Sequence, residues 1–104
     1  MNTLRRNSRT ADAVQLRDAA IKLTETYGNK WPDTPVTGFQ FGGLLVWHTV
    51  FPLLHWIDIW EDDRRKVLNI QWNDSGVDII SFRRGDWESK LLKKTEDGRR
   101  QQAA

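Results

Sequence analysis

The sequence predicts an α+β domain, in which an N-terminal amphipathic helix packs on a four-stranded antiparallel meander and a short C-terminal helix closes the fold. Two patterns predict it. Apolar residues first recur every three or four positions, the period of a helix, and later alternate at every second position, the period of a strand. A chain of 104 residues with 38% hydrophobic residues has room for a single domain over 1–104 and hardly for two.

The first element is a helix over 11–27. Thr10 is a suitable N-cap, and Gly28 is a natural residue to end the helix. The apolar stripe between them comprises Ala13, Leu16, Ala20, Leu23 and Tyr27. This stripe is expected to face the core, while residues 1–9 are expected to form a flexible arm.

The remaining elements follow from turn residues and alternation. Residues 29–43 contain two Pro and three Gly and predict a loop, with a short extended piece at 36–41. Strands are expected at 44–51, 55–61, 66–73 and 77–83. The continuous apolar run in 44–51, followed by Pro52, also fits a buried helix. A short helix over 87–95 is expected to end at Asp97-Gly98, leaving 99–104 as a flexible tail.

Short connections between these strands predict antiparallel pairing, and the length of each turn predicts the register. Three-residue turns at 52–54 and 74–76 and a tight turn near Asp63 put the isoleucines on one face. The pairs expected on that face are His55 with Trp72, Ile57 with Ile70, Ile59 with Leu68, Ile70 with Ile80, Leu68 with Phe82, Trp47 with Ile59 and Thr49 with Ile57. Phe51 and Asp78 would complete this face at one end, and the helix over 11–27 would cover it.

The opposite face is unusual because a polar row crosses it between large apolar side chains. The row is expected to contain His48, Asp58, Asn69 and Ser81, with Trp56, Gln71 and Trp60 beside it. A face that met only water would carry Lys, Glu and Thr rather than Trp and β-branched residues. We therefore expect a binding or assembly module, with this face joining a second copy of the chain or another protein.

Two alternatives remain open from the sequence. His48 and Asp58 are residue types that can move and orient a proton, so the row could line a small-molecule site or a modest active site with Asn69 and Ser81. Ser81 lacks the Gly-x-Ser-x-Gly turn of an activated serine. The second alternative is a nucleic-acid accessory protein that uses basic tails around Arg5-Arg6 and Arg99-Arg100.

Composition excludes several other classes. The chain has no Cys, so it has no disulfide framework, no thiolate metal site and no thiol nucleophile, and we expect neither a bound metal nor a cofactor. No apolar segment follows the basic N-terminus as in a signal peptide. The most apolar stretch, 44–60, is short for a membrane span and contains Asp58. The sequence thus predicts a cytoplasmic protein that does not enter a membrane.

Overall fold

A computed structural model of the chain describes residues 8–62 and 64–103. The elements are helix α1 at Ser8–Tyr27, strands β1 at Asn29–Lys30, β2 at Val36–Phe41, β3 at Leu44–Phe51, β4 at Leu54–Glu61, β5 at Arg65–Asn73 and β6 at Gly76–Phe82, and helix α2 at Trp87–Ala103. The strands form one antiparallel meander in the order β1-β2-β3-β4-β5-β6. The predicted α+β class is confirmed, but the sheet has six strands, not four.

The two additional strands come from the segment that the sequence predicts as a loop. Residues 36–41 form a full strand, and the Phe39 and Phe41 rings stack with centroids 5.4 Å apart against the core. Gly42 and Gly43 both have positive φ, which is the geometry of a two-residue hairpin turn rather than of an open loop. β1 adds a two-residue edge before β2.

One face of the sheet, called here the inner face, carries the core. Residues on this face pack with the apolar stripe of α1, and the buried cluster includes Ala13, Leu16, Ala20, Leu23, Val46, Ile57, Ile59, Leu68 and Ile70. Helix α2 packs on α1 and reaches the same cluster through Trp87 and Leu91. The Trp87 indole donates a hydrogen bond to the Arg83 carbonyl at 2.8 Å, which fixes the start of α2 against the end of β6.

The helices extend beyond their predicted bounds. α1 ends at Tyr27 as predicted but begins at Ser8, and α2 continues to Ala103 through the Asp97-Gly98 pair, so the predicted end at that pair is wrong. Gly98 is buried where α2 meets α1, and a Cβ there would lie 3.0 Å from the Tyr27 hydroxyl. The glycine allows close helix packing rather than acting as a C-cap.

Of the two predicted tails, residues 1–7 and 104 lie outside the described residues. In the part of the chain that is described, no helix is long and apolar enough to cross a membrane.

The register between β4 and β5 is confirmed, whereas the register between β3 and β4 is wrong by one residue. His55, Ile57 and Ile59 lie opposite Trp72, Ile70 and Leu68 as predicted. The turn after β3, however, contains only Pro52 and Leu53, so Phe51 pairs with Leu54. Every residue of β3 therefore faces the side opposite to the predicted one. Val46 and His48 face inward, and Trp47, Thr49 and Phe51 face outward.

A physical preference accounts for this shift. Val46 lies opposite Ile59, and both side chains are fully buried, so a compact β-branched residue fills the core position. The bulkier Trp47 lies on the other face, which is here called the outer face, opposite Asp58. A wide indole at the Val46 position would have to fit beneath α1 in a close-packed core.

Two bulges change the remaining pairs. The turn between β5 and β6 contains only Asp74 and Ser75, and a register shift in β6 then restores the predicted pairs of Leu68 with Phe82 and of Asn69 with Ser81. Ile79, not Ile80, lies opposite Ile70, so the predicted inner positions of Ile80 and Asp78 are wrong. Ile80 is 58% exposed, and Asp78 lies opposite Gln71 on the outer face. The second bulge, between Ile59 and Trp60, sets Lys66 opposite Trp60.

Candidate functional site

The outer face of the sheet is organised in three rows that run across the strands. The first row contains Gln40, Leu45, Trp60 and Lys66. The middle row contains Gly38, Trp47, Asp58, Asn69 and Ser81. The third row contains Val36, Thr49, Trp56, Gln71 and Asp78. None of the described helices covers these rows, because α1 packs on the inner face and α2 packs on α1.

The structure brings most of the predicted site residues together on this face. Those that lie there are Trp56, Asp58, Trp60, Asn69, Gln71 and Ser81. His48 is the exception, because the one-residue shift in β3 places it opposite Ile57 on the inner face. The predicted row of four polar side chains is therefore wrong at its first member, whose place is taken by Trp47. His48 and Asp58 cannot act as a proton-transfer pair from opposite faces of a sheet.

Asp58 is the centre of the outer face, and its charge is satisfied within the chain. The Asn69 side-chain amide donates a hydrogen bond to Asp58 Oδ1, and Lys66 Nζ lies 3.3 Å from the same oxygen. Asp58 is 8% exposed and Asn69 is 7% exposed. A carboxylate this deeply buried would be costly without a donor and a cation, so the three side chains form one unit.

Aromatic rings form a layer on the outer face around this polar unit, in two groups. Trp47 contacts Trp31 and Trp60, with ring centroids 5.4 Å and 6.4 Å away. Lys66 extends the layer, since its ammonium group lies 5.1 Å from the Trp60 ring centroid in a cation–π contact. The second group consists of Trp56, on the third row, and Phe51, just beyond that row on β3, with ring centroids 5.1 Å apart. All four tryptophans are only partly covered, and Trp31 is 42% exposed.

Gly38 makes this arrangement possible. A Cβ at position 38 would lie 2.6 Å from Trp47 Cδ1, which is far inside van der Waals contact. The Trp47 indole can therefore lie across β2 only because β2 has no side chain at that point. Trp31 then reaches the exposed side of Trp47 from the connection between β1 and β2.

Sequence reasoning missed Trp31 and Trp47. Trp31 lies in a segment with two prolines, where no periodicity assigns a face. The sequence pattern predicts Trp47 on the inner face, because the one-residue error in the register of β3 affects Trp47 as well as His48. A usable signal was Gly38, since an isolated glycine in an alternating segment indicates a close approach of another group.

One donor in this layer is unsatisfied. Trp60 Nε1 is buried and, among the described residues, has no hydrogen-bond partner. An unpaired buried N–H group costs about 1–3 kcal/mol. This unmade hydrogen bond lies in the aromatic layer, whereas Asp58 at the polar centre has both a hydrogen bond and an ion pair.

His48 belongs to a separate inner-face cluster at the open end of the core. His48 Nε2 and His55 Nδ1 share a hydrogen bond of 3.4 Å, and both rings lie against Trp72, whose other contact is the Arg17 guanidinium 5.0 Å from the ring centroid. Burial lowers the pKa of His48, the neighbouring His55 lowers it further, and Glu25 partly opposes them. No group of three metal-ligating side chains occurs among residues 8–62 and 64–103. Within this packed cluster, protonation of His48 is disfavoured.

The role of Gly38 predicts the outcome of a matched pair of substitutions. We expect Gly38→Ala to displace the Trp47 ring and to lower the free energy of unfolding by about 1–3 kcal/mol. Gly76→Ala is the control, because a Cβ there meets nothing within 4 Å and its backbone is not in the left-handed region. Urea unfolding followed by tryptophan emission measures both effects. Equal stability of the two variants would show that Trp47 does not lie across Gly38.

The lowered pKa of His48 predicts acid sensitivity. The unfolded chain binds a proton at His48 near the ordinary pKa of about 6.5, while the folded chain resists it. The contribution of His48 to stability is therefore complete above that pKa and is lost as the pH falls below it. Between about pH 7.5 and pH 5.5, the unfolding free energy of the native protein should fall more than that of His48→Gln. Carboxylates contribute equally to both proteins, so identical pH profiles would contradict the assignment.

Comparison with known proteins identifies no family. No protein-family model matches the chain, and the searches of curated proteins and of solved structures found no match. The candidate site is thus defined by its own contacts: a charge-neutralised polar centre surrounded by partly exposed tryptophans, on a sheet face that the described helices leave open.

Proposed function

We propose that the protein is a non-enzymatic assembly module whose outer face associates with the outer face of a second copy of the chain. The observation that carries this proposal is the aromatic layer of Trp31, Trp47, Trp60 and the Phe51–Trp56 pair on an open sheet face. Tryptophan and other aromatic residues are enriched in the cores of protein interfaces. Partly exposed rings of this kind are stabilised when a second surface removes their remaining exposed area from water.

The charge distribution of the face supports an interface rather than a solvated surface. Its one buried carboxylate, Asp58, is already bonded to Asn69 and Lys66. Covering the centre of the face would therefore leave no unpaired charge at Asp58, which is the usual penalty for burying an acid. Lys66 is itself folded down over Trp60, so its apolar stem adds to the contact surface.

The dimensions of the face suit a dimer. Five strands spaced by about 4.8 Å, each rising by about 3.3 Å per residue, give a face of roughly 20 Å by 25 Å. Side-chain relief increases the accessible area of such a face above its projection of about 500 Å², and a typical stable interface buries about 800 Å² on each partner. A two-fold dimer uses one patch twice and so requires no second specialised surface.

The alternatives have less support from the geometry. A small-molecule or catalytic site built on His48, Asp58, Asn69 and Ser81 would need side chains from both faces of the sheet. Asp58 and Asn69 are also more than nine-tenths covered, so a ligand would have to displace the tryptophans to reach them. For nucleic acid, the outer face offers little free positive charge, because Lys66 is paired with Asp58 and the exposed Asp78 would repel the phosphate backbone.

Sedimentation equilibrium across micromolar concentrations tests the proposal. The native chain should populate a dimer, and Trp56→Ser should weaken its dissociation constant by about tenfold or more, the loss typical of an aromatic interface anchor. Leu92→Ser is the matched control, because Leu92 is a 37% exposed apolar residue on α2, away from the outer face. Circular dichroism confirms that each variant is folded.

A native chain that remains monomeric at these concentrations would overturn the proposal. So would equal weakening by Trp56→Ser and Leu92→Ser, because the dimer would then not depend on the outer face.

A further inference from the structure

We infer that the two copies meet with their strands antiparallel, about a two-fold axis that runs across the strands along the middle row of the outer face. This inference rests on the proposed function and specifies its geometry. It follows from two charged residues, Asp78 on β6 and Arg83 immediately after β6. Both side chains are exposed, and neither forms an ion pair with any described residue.

The two charges lie toward opposite ends of the same edge. Asp78 lies on the third row, opposite Gln71. Arg83 follows Phe82, whose side chain packs in the inner core, so alternation directs Arg83 outward. The Arg83 amide donates to the Val67 carbonyl at 2.9 Å, so Arg83 lies beside Val67, the residue after Lys66, near the level of the first row. The two charges are therefore roughly 15 Å apart along the edge, with the middle row between them.

The direction of the two-fold axis decides whether these opposite charges meet across the interface. Face-to-face packing needs an axis in the plane between the sheets. An axis parallel to the strands would place β6 over the opposite side of the partner's sheet, where Asp78 and Arg83 would meet Val36 and Gln40. An axis across the strands keeps β6 over β6 and reverses its direction. Asp78 then faces the partner's Arg83, and Arg83 faces the partner's Asp78.

The same operation makes the aromatic rows complementary. An axis along the middle row exchanges the first and third rows, so Trp60 faces the partner's Trp56, and Lys66 faces the partner's Gln71. The polar unit at Asp58 lies near the axis and is already neutralised. Strands aligned in this way also match the common packing of two sheets with their strand directions close to one another. Charge pairs at the margin of such an interface select orientation more than they add affinity.

Charge reversal tests this orientation. Asp78→Arg and Arg83→Asp should each weaken the homodimer by about tenfold or more, because the two-fold axis places like charges together twice. The double variant should return the dissociation constant to about the native value, since both pairs are re-formed with reversed polarity. A mixture of the two single variants should form a heterodimer tighter than either homodimer. Lys90→Asp, an exposed change on α2, should have no such effect.

A measurement on the native protein provides a second test, because the native dimer should weaken as salt screens the two pairs. If the native chain dimerises through Trp56 but the double variant and the mixture show no recovery, the orientation is wrong while the proposed function stands. If the native chain is monomeric, both are wrong.

Discussion

The pairing of Asp58 is the interaction on which the rest of the sheet depends. β4 alternates between Ile57 and Ile59, which are fully buried on the inner face, and Asp58, which the same alternation forces into the centre of the outer face. A buried carboxylate needs a donor and a cation, and β5 supplies both as Asn69 and Lys66. The bulge beside Ile59 matters here, because an unbroken ladder would place Val67 rather than Lys66 opposite Trp60.

Because this centre is satisfied internally, the aromatic side chains around it are free to form a contact surface. Gly38 leaves room for Trp47 to lie across β2, Trp31 extends the layer, and the Lys66 ammonium group lies over Trp60. The histidines belong to the other side of the sheet, where His48 packs with His55 and Trp72 and its protonation is disfavoured. Packing and electrostatics thus separate the residue types that would be needed for proton transfer. Association through the outer face is accordingly the function that we propose.

The sequence was informative wherever alternation was unambiguous. The segment around Ile57 and Ile59 has polar or aromatic residues between its isoleucines, so its faces and its register with β5 could be predicted. β3 reads apolar at nearly every position, which leaves its register to the turn, and a turn of two residues cannot be told from one of three by composition. Because the turn has two residues rather than three, His48 lies on the inner face and Trp47 lies in the candidate site opposite Asp58. The hydrophobic pattern does not reveal β-bulges. The bulge at Ile80 places Asp78 on the outer face, and the bulge beside Ile59 places Lys66 opposite Trp60.

The most direct test of the central claim, that the outer faces of two copies pack together with β6 over the partner's β6, uses the absence of cysteine in the chain. Ser81 lies on the middle row, so a single cysteine placed there would face its own copy across sheets about 10 Å apart. A bismaleimide linker of about that span should join Ser81→Cys chains into covalent dimers much faster than Ser89→Cys chains, whose cysteine is exposed on α2. Equal cross-linking of the two variants, or none at Ser81→Cys under conditions where the chain is dimeric, would contradict it.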